Sequence, residues 1–322
     1  MDRMGFPSFA VERPLLDNIR TRVEDVYRLC GPVVGEDGLC RLNDLDSAWP
    51  EQARLGVLPV KKFLFPPRET LWTYRSASYQ PPESPPATAV VGLSLCELQS
   101  VWYLDQLFAE DQLYGARRQR LLLIGLPCSP GPHCRCRCEL MPVAGDLFLT
   151  KERVWSLSPR GAELMEHAGV TLASATSSPL PWPEQSLQQT FTPLSESQFQ
   201  GSRSHQVWGE EAERCLSCGA CSAVCPTCYC YDLLDVAGLN GQVKRLRTWD
   251  NCFFAEHGQV AGGHDFRPDR VSRLQFRFEH KRYSFGALRG QDSCVGCGRC
   301  LAACPVGIDL EQIASRLGEA LP

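Results

Sequence analysis

The stretch Cys215-Leu-Ser-Cys218-Gly-Ala-Cys221-Ser-Ala-Val-Cys225-Pro226 recurs as Cys294-Val-Gly-Cys297-Gly-Arg-Cys300-Leu-Ala-Ala-Cys304-Pro305. Both read C-x2-C-x2-C-x3-C-P, and no other feature restricts the chain so strongly. Three thiols at two-residue gaps come from one tight loop and can wrap one face of a small polynuclear centre. The fourth lies three residues further on, where the chain has turned away. Gly219 and Gly298 follow the second Cys of each run; without a Cβ they let the backbone pass close to what the loop encloses. Pro226 and Pro305 fix φ and carry the chain out of the loop.

This run is the ligand signature of bacterial ferredoxins that hold cubane [4Fe–4S] clusters, in which the fourth Cys serves the other cluster. The expected sets are therefore crossed. Cys215, Cys218, Cys221 and Cys304 hold cluster one; Cys294, Cys297, Cys300 and Cys225 hold cluster two. The competing reading is zinc knuckles or buried free thiols. Zinc sites use two C-x2-4-C pairs, not a triple with a trailing C-P, and here the whole run occurs twice.

The chain has 322 residues, enough for two domains and a sizeable core. Its net charge of −4 carries no global nucleic-acid footprint. Eighteen cysteines would suggest disulfides in a small secreted protein. Met1 to Leu16, however, contains Asp2, Arg3, Glu12 and Arg13 and no apolar core of an export signal. No apolar run is long enough to span a membrane. The expected setting is the reducing cytoplasm.

In chain order, Leu15, Ile19, Val23, Val26 and Leu29 recur at helical spacing, so residues 11–30 read as an amphipathic helix that Gly31-Pro32 ends. Cys30 and Cys40 fit no ligand pattern. Ser76 to Thr88 is Pro- and Ser-rich and reads as a loop. Ala89 to Cys96 and Arg120 to Cys128 read as buried strands, with a helix over Glu97 to Phe108 between them. Strand–helix–strand implies parallel pairing, with Cys96 and Cys128 at the strand ends, where open α/β sheets place their sites. Gly145 to Thr150 and Arg153 to Leu157 add short strands, and Asp309 to Leu321 a closing helix. The spacer from Cys225 to Cys294 is far longer than in a minimal ferredoxin, which favours helices around the clusters. The fold class is α+β: an N-terminal α/β domain over 1–173, a Ser-, Thr-, Pro- and Gln-rich linker over 174–204, and a mainly helical two-cluster ferredoxin domain over 205–322.

Cys96, Cys128, Cys134 and Cys136 form a candidate third set, with Cys138 as a competing fourth ligand. Pattern alone leaves a cluster, a structural zinc and unligated thiols open. Cys228, Cys230 and Cys252 read as small packing groups. Arg267, Arg270, Arg273, Arg277 and Lys281 recur at three- and four-residue steps and share a helix face. Such a stripe is ordinarily a solvated face; the alternative is charge compensation of anionic clusters or steering of an acidic partner. His264 reads as a backbone hydrogen-bonding group. The chain has no dinucleotide glycine fingerprint, Walker loop or nucleophile–base pair, so no catalytic residue is expected.

Pro59-Val-Lys-Lys-Phe-Leu-Phe-Pro-Pro-Arg-Glu, Leu95-Cys96-Glu-Leu, Leu104-Asp, Asp111 to Arg118, Cys128 with Cys134-Arg-Cys136, Cys225-Pro-Thr-Cys228-Tyr-Cys230, Trp249-Asp-Asn-Cys252 and Val260-Ala-Gly-Gly-His-Asp-Phe-Arg267 onward to His280-Lys281 carry a family resemblance. The chain resembles the iron–sulfur beta subunits of sulfhydrogenase-type cytosolic nickel–iron hydrogenases and the related A subunit of anaerobic sulfite reductase. That resemblance implies an electron relay between a flavoprotein FAD/NAD(P)-binding subunit and a hydrogenase small subunit or other catalytic redox subunit. It also tips the candidate third set towards a third [4Fe–4S] cluster. The chain departs from the family at Ser94-Leu-Cys96-Glu97, where Arg-Pro-Cys-Asp is usual, and at Arg135, Arg137 and the extra Cys138 of its C-x-C tract.

Overall fold

A computed structural model describes residues 5–11, 13–46, 48–137, 141–171, 175–183 and 192–319. They fall into two compact units interleaved along the chain. The first is Met1–Phe65, Glu83–Gly131 and Cys136–Gln188; the second is Pro66–Pro82, Pro132–Arg135 and Gln189–Pro322.

The chain runs β1 (Phe6–Ala10), α1 (Arg13–Val26), β2 (Arg28–Val34), β3 (Cys40–Asp44) and a one-turn α2 (Lys61–Leu64). It then contributes β4 (Arg68–Arg75) and β5 (Ser78–Gln80) to the second unit. Back in the first come β6 (Thr88–Leu93), α3 (Leu95–Leu107), α4 (Gln112–Arg120), β7 (Leu121–Gly125), β8 (Leu147–Leu149), β9 (Arg153–Ser156), α5 (Pro159–His167) and β10 (Thr176–Ser178). The first unit is one eight-stranded sheet, ordered β10-β1-β9-β8-β7-β6-β2-β3. The neighbours β2/β6, β6/β7 and β7/β8 are parallel, and the outer pairs are antiparallel. Every residue of β6 and β7 is buried, as expected of strands covered on both faces. Leu15, Ile19 and Val23 of α1 pack with Ala89, Val91, Leu122 and Ile124 of those strands.

The expected strand–helix–strand unit is therefore present, with three corrections. The helical pattern beginning near residue 11 ends at Val26, which is exposed, and Leu29 and Cys30 belong to β2. Pro32 lies inside that strand, on the flank facing β3. Cys96 follows the strand and is carried by α3, whose N-cap is Ser94. In the stretch read as a linker, Thr176–Ser178 pairs with β1, and Leu194 and Phe199 enter the core of the second unit.

The second unit adds α6 (Glu196–Gly201), α7 (Gln206–Arg214), α8 (Ala220–Ala223), β11 (Tyr231–Ala237), β12 (Val243–Trp249), α9 (Arg270–Tyr283), α10 (Arg299–Ala302) and α11 (Leu310–Glu319). Its helices share a core around Phe199, Trp208, Leu274, Phe278, Ile313 and Leu317. Phe199 stacks on Phe278, with ring centroids 5.4 Å apart. Beside them lies a four-stranded antiparallel sheet, β11-β12-β4-β5, which the helical expectation for the spacer did not include.

Candidate iron–sulfur site

The two cysteine runs fold as near-copies. α7 ends at Cys215, whose N–H donates to Glu211 O at 3.0 Å. Gly219 (φ +73°) then opens α8, and Gly298 (φ +74°) opens α10 in the same left-handed conformation. Ser222 N donates to Gly219 O at 3.0 Å and Leu301 N to Gly298 O at 3.1 Å. Cys225 N donates to Ser222 O and Cys304 N to Leu301 O, both at 3.2 Å. The third Cys of each run is thus held on a single helical turn, and the fourth lies just beyond its end.

Both glycines also permit a close approach. A Cβ on Gly219 would lie 2.2 Å from Asn251 Nδ2, which donates to Gly219 O at 2.7 Å. A Cβ on Gly298 would lie 2.4 Å from the carbonyl oxygen of His133. That carbonyl belongs to the short segment Pro132–Arg135 of the same unit. There Arg135 N donates to Gly296 O at 2.7 Å, and the Arg135 guanidinium holds Asp309 through two contacts of 2.8 Å.

The thiols expected in the first set lie around one cavity. Cys215, Cys218, Cys221 and Cys304 line it, along with Cys300, Arg277 and apolar side chains such as Phe253 and Ile308. Cys225 acts electrostatically on Cys294, Cys297 and Cys300, the three thiols of the second run. Cys218 is exposed and Cys225 and Cys297 are buried, so the first set faces solvent more than the second. Among the described residues no three His, Cys, Asp or Glu side chains close on a single ion.

Burial pushes the Cys221 thiol up to about 12 and the Cys297 thiol up to about 11. Burial also pushes Cys225 up, but Lys281, Arg277 and the contact with Thr227 Oγ1 together outweigh this and hold the thiol below its ordinary value. Metal ligation therefore competes with protons at most of these sulfurs.

The basic stripe is not a solvated face. Arg270 is exposed, but Arg273, Arg277 and Lys281 of α9 are buried. Arg277 donates from Nη1 to Ser222 Oγ at 2.8 Å and from Nη2 to Cys221 O at 3.0 Å. Lys281 Nζ donates to Thr227 Oγ1 at 3.0 Å. Burial opposes the Arg277 charge, and the sulfurs of Cys221, Cys225, Cys228 and Cys300 sustain it. Buried cations facing sulfurs fit anionic thiolate-bound clusters. Periodicity gave the shared face; burial could not be read from it. His264 is exposed, with its ring 4.6 Å from that of Phe266.

Cys228 and Cys252 are buried, and Cys230 hydrogen-bonds both, which raises its own thiol. The candidate third set is spread along the chain. Cys96 and Cys128 each lie three residues beyond adjacent parallel strands, β6 and β7, at the same edge of the sheet. Cys96 Sγ is 3.0 Å from Ser94 Oγ. Cys136 is buried in the first unit, whereas Cys134 belongs to the second and donates to Cys297 O at 3.6 Å. Cys138 lies outside the described residues.

Residues 214–308 match the family described as a 4Fe-4S dicluster domain. The class of protein is thereby an iron–sulfur, electron-transfer protein with two [4Fe–4S] clusters. Over nearly its whole length the chain is similar to Sulfhydrogenase 2 subunit beta of Pyrococcus furiosus, with 28% identity over 335 residues, covering 93% of this chain and 95% of that protein. The resemblance found in the motifs is borne out by that similarity. No solved structure matches the chain. Among the described residues no helix is long and apolar enough to cross a membrane.

Proposed function

We propose that this chain is the electron-relaying subunit of a multi-subunit redox complex. It passes single electrons between a flavin- and NAD(P)-binding subunit and a catalytic subunit of nickel–iron hydrogenase type. The observation that carries the reading is the gathering of Cys215, Cys218, Cys221 and Cys304 from both runs around one cavity that reaches the surface at Cys218. Similarity to a sulfhydrogenase beta subunit supports the hydrogenase assignment.

When bound, the clusters supply one-electron carriers. The chain's own residues hold and insulate them. Cys215, Cys218, Cys221 and Cys304 are the ligands of cluster one; Cys294, Cys297, Cys300 and Cys225 are those of cluster two. Gly219 and Gly298 admit the close backbone approach, and Arg277 and Lys281 compensate negative charge. The cytoplasm is the expected setting. Cys96, Cys128, Cys134 and Cys136 remain the candidate ligands of a third cluster.

Equivalent service to an anaerobic sulfite or polysulfide reductase is the alternative, and the catalytic subunit that co-purifies with the chain decides between them. The relay itself is tested with Cys218→Ser in the assembled complex. The variant is expected to lose one cluster and block electron flow to the catalytic subunit, while flavin reduction by NAD(P)H persists. Full activity with one cluster missing would remove the relay role.

A further inference from the structure

Arg277 has no use as a surface charge, a helix cap or a partner in an ion pair among the described residues. It is 3% exposed, and its two hydrogen-bond acceptors, Ser222 Oγ and Cys221 O, are neutral. Burying a guanidinium against neutral acceptors alone costs more than the hydrogen bonds return. Besides the Phe253 ring, whose centroid is 5.9 Å from the guanidinium, the compensation comes from sulfur. Arg277 lines the cavity of the first thiol set, and Cys300 of the second set lines the same cavity. Its guanidinium thus stands where the two sets meet. One helical turn further along α9, Lys281 donates to Thr227, two residues from Cys225.

We propose that Arg277 sets the reduction potentials of both clusters together, and that Lys281 adds a contribution directed at the second. This rests on the two-cluster reading above. Each four-thiolate cluster becomes more negative by one charge on reduction. A fixed buried cation stabilises the reduced state more than the oxidised one, and the low-dielectric surroundings enlarge the difference. Because Arg277 adjoins both sets, its removal lowers both potentials and leaves their difference nearly unchanged. Lys281 lies by the second set, so its removal lowers chiefly one.

The test is an EPR-monitored reductive titration of the full chain, purified without oxygen, with iron and acid-labile sulfide measured on the same samples. In Arg277→Gln both one-electron equilibria are expected to shift at least tenfold against reduction, about 59 mV each. Arg277→Lys, which keeps the charge, is expected to recover most of that shift. Lys281→Met is expected to shift one cluster, and Arg270→Gln, at an exposed position of the same helix, neither. Unchanged midpoints in a fully loaded Arg277→Gln overturn the proposal. So does an equal fall in Arg277→Lys, which would mark a packing role. If Arg277→Gln does not load iron, Lys281→Met and Arg277→Lys decide: an unshifted midpoint in loaded Lys281→Met, or a large fall of both midpoints in loaded Arg277→Lys, overturns it. A wild-type chain without clusters would instead overturn the two-cluster reading.

Discussion

Cys30 is buried in β2 and donates to Asp44 Oδ1 at 3.3 Å. Burial, followed by the hydrogen bond to Asp44, pushes its thiol up to about 11. A thiol raised on folding stabilises the fold fully below its unfolded value. That contribution is lost as pH rises through the folded value. The first unit should therefore lose stability between roughly pH 9 and 11, by at most about 1.4 kcal/mol per pH unit from this group. Urea midpoints across that window should show Cys30→Ala with a shallower alkaline decline than wild type. Equal declines would mean that Cys30 titrates alike in both states. At this scale spacing separated the eight ferredoxin cysteines from Cys30 and Cys40. It was mute on Cys228, Cys230 and Cys252, whose mutual contact depends on β12 returning the chain beside Cys230, where Asp250 N donates to Cys230 O at 3.0 Å.

Among the elements, β12 pairs with β4 so that Arg247 stands opposite Glu69, both buried, with Nε 2.5 Å from Oε1. Removing one partner leaves the other charge in the sheet interior. Glu69→Ala should cost about 3–5 kcal/mol, read as a fall in the unfolding midpoint of the second unit. A double variant that also replaces Arg247 with Met should recover part of it; equal losses in the two would place the cost in packing. Elements whose pattern matches their surroundings were legible: β6, α3, β7 and α11 emerge close to their expected bounds. The boundary of α1 was not, because apolar residues continue into β2 at intervals that still fit a helix. The β11–β12 hairpin was hidden differently: all seven residues of β11 are exposed, so no alternation of buried and exposed positions marks it.

For the molecule as a whole, the two-cluster character was legible because two distant runs carry the same fixed spacing. The interleaving was not. Pro66–Pro82 and Pro132–Arg135 leave one unit for the other, and the prolines near these crossings mark loops without saying which unit the chain enters. The second crossing puts the His133 carbonyl and Arg135 on the loop of the second run, so part of that loop's support comes from far upstream in sequence. Each run is expected to supply three ligands to one cluster and the fourth to the other. The most direct measurement is the iron count and reduced EPR spectrum of anaerobically purified wild type, Cys304→Ala, Cys215→Ala and Cys294→Ala. Wild type should hold about eight iron per chain, or about twelve if the tract through Cys136 binds a third cluster. Cys304→Ala should abolish the same signal as Cys215→Ala and spare the one that Cys294→Ala removes. If Cys304→Ala instead erases the Cys294 signal, each run closes on its own cluster and the crossed account is wrong.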